Sequence, residues 1–194
     1  SDLESKTGRL VHSNGGTWEL KGKTMTEVVE FDTDNPERVG SAVVFDINID
    51  DEFLEIVGSE MKFSRLDNGA PGDLNGAWLM SARIRDGKKQ GRDISRPRKT
   101  MKILSGTRFQ WIAYNTETKK FMATGGGTYT TLKGKYKENI EFFSRDNSKV
   151  GLNLEFDYEI LIKTDDKKLV SQKNWYHKGF SSKGNPINEI WTQR

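Results

Sequence analysis

Cysteine is absent from the 194 residues. No disulfide, thiolate nucleophile or cysteine-ligated metal centre is therefore available. Histidine is almost as scarce, with only His12 and His177. They lie in different halves of the chain, with neither the i,i+4 nor the His-x-His spacing that brings imidazoles to one metal, and no Ser-His-Asp relay has a local signature. Both are expected at the surface or at strand ends. No metal, no cofactor and no catalytic residue is expected, and the chain is not expected to be an enzyme. No apolar run reaches the roughly 18 residues that a membrane-spanning helix needs. One-sided charge is missing too: 31 basic against 28 acidic residues leave +3, too little for a nucleic-acid partner.

What is present points to strands. A hydrophobic fraction of 34%, with 10% aromatic residues, suits a protein whose strands bury only one face, and the aromatic content argues against wholesale disorder. Val43, Phe45, Ile47 and Ile49 alternate with mostly polar neighbours. So do Leu152, Leu154, Phe156, Tyr158, Ile160 and Ile162, and Phe109, Trp111 and Ala113. Period-2 patterns of this kind mark half-buried strands. Turn formers such as Asp86-Gly87, Lys133-Gly134, Asp146-Asn147 and Gly184-Asn185-Pro186 separate them. Short strands at such spacing predict an antiparallel meander, with Phe53 to Met61 and Leu169 to Tyr176 also read as strands.

The chain repeats itself. Gly15-Gly16-Thr17-Trp18 returns as Gly126-Gly127-Thr128-Tyr129, an offset of 111. Leu20-Lys21-Gly22-Lys23 matches Leu132-Lys133-Gly134-Lys135 with one inserted residue. Glu30-Phe31, Val39-Gly40 and Phe45-Asp46 return at 111, as Glu141-Phe142, Val150-Gly151 and Phe156-Asp157. Asp50-Asp51 with Leu54 resembles Asp165-Asp166 with Leu169. The copies are unequal, because residues 73–125 have no counterpart before Gly15. Residues 1–66 therefore read as the C-terminal strands of a unit, 67–72 as a turn-rich linker, and 73–194 as a whole unit. About eight strands closed into a barrel lose their exposed edges and leave room for one small ligand. The expected fold is all-β: an antiparallel up-and-down barrel with a partial repeat of the same unit.

Gly76-Ala77-Trp78, within Asp73-Leu74-Asn75-Gly76-Ala77-Trp78-Leu79-Met80-Ser81, resembles the first-strand Gly-x-Trp signature of lipocalins. Lys102 to Trp111, Gly125-Gly126-Gly127-Thr128-Tyr129 and Asn185 to Trp191 are similar to later strands of secreted bacterial lipocalin-like domains of unknown function. The resemblance implies a lipocalin-like barrel with a small apolar cavity, export from the cytoplasm and no agreed ligand. It also implies that Trp78 closes the barrel floor beneath a basic side chain, for which Arg194 stands at a conceivable position. With Ser1 as the first residue, an upstream targeting segment is expected, and the protein is expected to be secreted, periplasmic or anchored at the outer surface.

The chemistry-bearing clusters are few. Gly125-Gly126-Gly127 precedes a Thr/Tyr strand and not a helix, so a bulge or close backbone contact is favoured over a phosphate cradle. Asp50-Asp51 and Asp165-Asp166 sit between strands, where Asp makes turns. The segment from Arg83 to Lys102 holds nine basic and two acidic residues, a local charge of +7 that leaves −4 elsewhere. It is expected as a long loop at the barrel mouth, either simply solvated or attracting an anion through Arg92, Arg96, Arg98 and Lys99. Trp78, Phe109, Trp111, Tyr129, Phe156 and Tyr158 are the candidate ligand-binding aromatics. They would line a cavity or fill a solid core, two alternatives that alternation alone leaves open. The expected function is non-catalytic binding of a small hydrophobic or amphipathic ligand. The alternative is an interaction module in which strand edges of the partial repeat assemble with another chain, for instance as a homo-oligomer.

Overall fold

The computed structural model describes residues 2–4, 7–67, 72–165 and 170–194. Eight strands form a closed antiparallel barrel: β8 (Gly76–Arg85), β10 (Arg98–Leu104), β11 (Arg108–Asn115), β12 (Lys120–Leu132), β13 (Lys135–Phe143), β14 (Asn153–Asp165), β15 (Val170–Phe180) and β16 (Pro186–Gln193). Each pairs with the next in chain order, and β16 returns to β8. A short β9 (Lys88–Gly91) folds back on the upper half of β8, while β10 takes its lower half. The tight turns come where the sequence signals them. Asp86-Gly87 and Lys133-Gly134 both have positive φ at both residues, the geometry a two-residue hairpin needs.

Before the barrel come a small hairpin, β1 (Asp2–Glu4) with β2 (Arg9–His12), and a five-stranded sheet. That sheet runs β3 (Asn14–Lys21), β4 (Thr24–Asp32), β5 (Ala42–Ile49), β6 (Phe53–Ile56) and β7 (Lys62–Ser64), a half-barrel. Strand β6 stops at Ile56, so the expected strand to Met61 is cut short by a turn in which Gly58 has a φ of 79°.

The register shows that the repeat is structural. Pairs Gly16↔Val29, Trp18↔Glu27 and Lys21↔Thr24 recur as Gly127↔Ile140, Tyr129↔Glu138 and Leu132↔Lys135. Met25↔Phe45 recurs as Tyr136↔Phe156. The offset is 111 throughout, so no residue is inserted. The Leu-Lys-Gly-Lys match is a one-residue slip between two hairpins of equal length. Both copies bulge at the same glycine pair, Gly15-Gly16 and Gly126-Gly127. A Cβ on Gly127 would stand 2.0 Å from the Asn139 carbonyl oxygen, and one on Gly16 1.8 Å from that of Val28. Only glycine allows so close a backbone approach. Beyond β5 the copies diverge in length. By register Leu54 corresponds to Trp175 and Phe63 to Trp191, so the β14–β15 hairpin is the longer one. At the short turn Asp50 caps two backbone N–H groups, Glu52 at 2.7 Å and Phe53 at 2.9 Å. The matching Asp166 to Leu169 lie outside the described residues.

Two cores result. One fills the lower barrel, around Leu74, Trp78, Tyr136 and Trp175. The other lies on the barrel's outer face, where Phe31 of β4 packs on Leu79, Met101, Ile112 and Tyr114. Polar contacts flank it. Arg194 grips Glu30 with two guanidinium nitrogens at 2.9 and 2.5 Å, and the Tyr114 hydroxyl donates to the same carboxylate. Arg194 is thus committed to the half-barrel, not to Trp78. No helix of the described residues is long and apolar enough to cross a membrane.

Candidate functional site

Alternation on each barrel strand sends one set of side chains inward. In the lower half these are large rings, and they fill the space. Trp78 is completely buried, donates from Nε1 to the Leu74 carbonyl at 2.7 Å, and meets Trp175 edge-on with ring centroids 5.8 Å apart. Tyr129 donates to the Ser105 carbonyl at 2.6 Å, and burial pushes its hydroxyl up to about 12.

Above this floor the barrel is open. A cavity of about 620 Å³ is walled by β-strand side chains that include Met80, Trp111, Ile140, Phe143, Leu154 and Trp191. The barrel is neither solid nor hollow throughout: its lower half is packed and its upper half holds the cavity.

Charged groups stand where floor and cavity meet. Lys102 and Glu138 are each only 5% exposed, and their Nζ and Oε1 are 2.7 Å apart. Five rings surround the ammonium: Trp175 at 5.0 Å, Tyr136 at 5.1 Å, Trp191 at 5.3 Å, Phe109 at 5.8 Å and Phe156 at 5.9 Å. A desolvated cation over an aromatic face gains about 2 kcal/mol, which offsets part of the cost of burying it. The basic side chain of the floor is therefore Lys102, which stands opposite Trp78 across the β8–β10 pair.

His177 is 2% exposed and 4.1 Å from the Phe156 ring. Burial first, and the Lys102 charge second, hold its imidazole below the ordinary histidine range. Its Nδ1 lies 3.8 Å from Glu189, which meets Arg83 at 3.3 Å. Burial pushes the Glu189 carboxyl up, but His177, Lys102 and Arg83 outweigh it and hold the group below the usual carboxylate range. The expectation of a surface or strand-end His177 is overturned. On β15 it alternates with the fully buried Trp175, and the barrel wall takes both side chains inward. The other histidine, His12, is half-buried beside Asp32 at 3.3 Å.

The basic segment is not a long loop. Most of its residues lie on β8, β9 and β10, with Arg92 and Arg96 in the connection. Arg98 lines the cavity, and Arg92 and Arg96 line an outer groove beside it. Lys99 turns away and donates to the Ile94 carbonyl at 2.9 Å. Burial and mutual repulsion with Arg92, Arg145 and Arg83 lower the pKa of Arg98. Of the candidate aromatics, Trp111 and Phe156 line the cavity. Trp78, Phe109 and Tyr129 belong to the packed core below, and Tyr158 faces a separate surface depression beside Asp73. Sequence reasoning passed over Glu138, His177 and Glu189. Period 2 carried the signal, since each alternates with an aromatic or aliphatic residue of the inner face: Tyr136, Trp175 and Trp191.

Among the described residues no three His, Asp or Glu side chains converge as a metal site would require. A family model described as a domain of unknown function (DUF4488) matches residues 73–193, the whole barrel. No curated protein matches the chain.

Proposed function

The chain belongs to the DUF4488 family, and from that premise we propose that its barrel is a non-catalytic binding module for a small hydrophobic or amphipathic molecule. The observation that carries this reading is the open upper half of the barrel, about 620 Å³ above a packed aromatic floor. Its size falls within the range of small-molecule sites, which are concave and mostly apolar with a few convergent polar groups. The carboxylates support binding over catalysis. Glu138 is neutralised by Lys102, and Glu189, held below the usual range beside Arg83, is a weak base at neutral pH. Residues 73–191 also resemble secreted lipocalin-like domains, which supports export. Recovery of the protein from the cytoplasmic fraction of its own cells would remove that extension. Native mass spectrometry of gently purified protein, with fluorescence quenching of Trp111 and Trp191 by hydrophobic and amphipathic probes, tests the binding. A retained ligand or saturable quenching is expected; an empty barrel that no probe quenches overturns the reading.

The half-barrel favours a second reading, an assembly module. It reproduces β12 to β16 in register, and its β1–β2 hairpin repeats the end of the β11–β12 pair, but among the described residues no strand stands where β8 and β10 close the barrel. Strands β3 and β7 end its sheet with unpaired edges among the described residues. Trp18 and Phe63, counterparts of the inward Tyr129 and Trp191, are 66% and 52% exposed. Edges and apolar residues left open in this way are templates for pairing with another chain. Light scattering across a hundredfold concentration range tests it, and a monomer throughout removes it.

A further inference from the structure

The cavity is divided lengthwise. Four adjacent strands, β11 to β14, give it an apolar wall of Trp111, Ala113, Ala123, Ile140, Phe143 and Leu154. The other four, β15, β16, β8 and β10, give it His177, Glu189, Arg83, Arg98, Thr100 and Lys102. Glu138 crosses this division only in sequence, because its carboxylate reaches over to Lys102. Met80, Ile187 and Trp191 are the apolar members of the polar wall.

The polar wall has unmet hydrogen-bonding capacity. Arg83 Nε, Trp191 Nε1 and both ring nitrogens of the almost fully buried His177 have no hydrogen-bond partner, and all three residues line the cavity. Leaving a buried polar atom unpaired is unfavourable, and a ligand oxygen relieves that cost. Toward the mouth the charge is positive. Arg98, Arg145 and Lys183 line it with no carboxylate at ion-pair distance among the described residues, whereas the charges deeper in, Lys102 with Glu138 and Arg83 with Glu189, are matched.

We propose that the cavity takes a flat, facially amphipathic organic acid. Its apolar face lies on β11 to β14, its oxygen-bearing face meets His177, Trp191 and Arg83, and its acid group sits at Arg98. This rests on the binding reading above and narrows it. A linear amphiphile, with its polarity sorted from end to end, would leave the buried donors of the polar wall against hydrocarbon.

Three probes separate the possibilities on the unaltered protein, by tryptophan fluorescence and calorimetry. Cholate is a facially amphipathic acid, its methyl ester has the same body without the charge, and laurate is a linear acid. Cholate is expected to bind at least tenfold more tightly than either: over the ester through one charge-assisted hydrogen bond, worth about 1.5–3 kcal/mol or a factor of ten or more, and over laurate, which carries the same acid group, through the hydrogen bonds of its hydroxyl face to the polar wall. Arg98→Gln is expected to bring cholate down to the level of the ester and to leave the ester unchanged. His177→Phe is expected to weaken cholate and ester alike. Laurate matching cholate overturns the facial division, and the ester matching cholate overturns the acid. If none of the three binds while the neutral apolar dye N-phenyl-1-naphthylamine enters, this inference falls and the binding reading stands. If the dye is excluded as well, both fall.

Discussion

Lys102 is the residue on which the barrel interior is most dependent. Its charge is stabilised by Glu138 at 2.7 Å and by a ring on almost every side. Lys102→Met leaves Glu138 buried without a counter-ion and is expected to lower stability by about 3–5 kcal/mol in urea unfolding. The double variant Lys102→Met, Glu138→Leu is expected to recover most of that loss, because it removes the stranded charge with its partner. A double variant as unstable as the single one would show that the fold needs the charges themselves. His177 makes a different prediction. Burial and the Lys102 charge lower its pKa, so the unfolded chain takes up a proton there before the folded protein does. Stability is therefore full above the ordinary histidine value of about 6.5 and falls as the pH drops from there. Glu189, held low, adds a second loss that begins only below the ordinary carboxylate value of about 4.3. Urea midpoints between pH 7.5 and 5.5 are expected to decline in the natural protein and to decline less in His177→Phe. Equal slopes in the two proteins would remove His177 from the acid response.

At the scale of the element, the bulge in β12 decides how the strand crosses its neighbour. Gly127→Ala would drive a methyl group into the Asn139 carbonyl at 2.0 Å, where only backbone can move. The expected cost is about 1–3 kcal/mol. Gly91→Ala, at a position with nothing within 4 Å and no positive φ, is the control and is expected to change stability by less than about 0.5 kcal/mol. Thermal unfolding of the two variants checks both, and similar melting points would remove the bulge as a constraint. The strands and their turns were largely legible in the chain, because period 2 and residues such as Asp86-Gly87 act locally. The extent of β6 was not: Gly58, the one glycine within Phe53 to Met61, marks where pairing stops, but a single glycine is also tolerated inside a strand. Nor was the basic segment, where seven positive charges, Arg83, Arg85, Lys88, Lys89, Arg98, Lys99 and Lys102, lie in paired strands. Charge density marks solvent exposure more directly than it marks loop structure, and one face of a barrel strand satisfies both.

Across the whole molecule, the half-barrel is held by a small patch. Phe31 is its apolar anchor on Leu79, Met101, Ile112 and Tyr114, and Glu30 with Arg194 and Glu37 with Lys119 are among its polar ones. Phe31→Ala is expected to cost about 3–5 kcal/mol, concentrated in the first sheet. Amide exchange in β3 to β5 is expected to accelerate while the β12 to β15 amides stay protected; acceleration of both together would mean that half-barrel and barrel unfold as one unit. This patch explains why β11 is apolar on both faces. Trp111 and Ala113 look into the barrel, whereas Ile112 and Tyr114 are buried beneath β4. The four-residue run Trp111-Ile112-Ala113-Tyr114 was the sign of a second interface, easily read as a single inward alternation.

By itself the chain of 194 residues determined its all-β class, its internal repeat, most of its turns and the alternation that sorts inward from outward side chains. Those properties depend on near neighbours and on a spacing of two. Only the tertiary structure decided that eight strands close and five do not, that the lower barrel is packed and the upper half open, and that Lys102, Glu138, His177 and Glu189 meet inside. Closure brings together residues more than a hundred positions apart, such as Met80 and Trp191, and whether rings from separate strands interlock or leave space is set by their geometry in three dimensions, which no local pattern records.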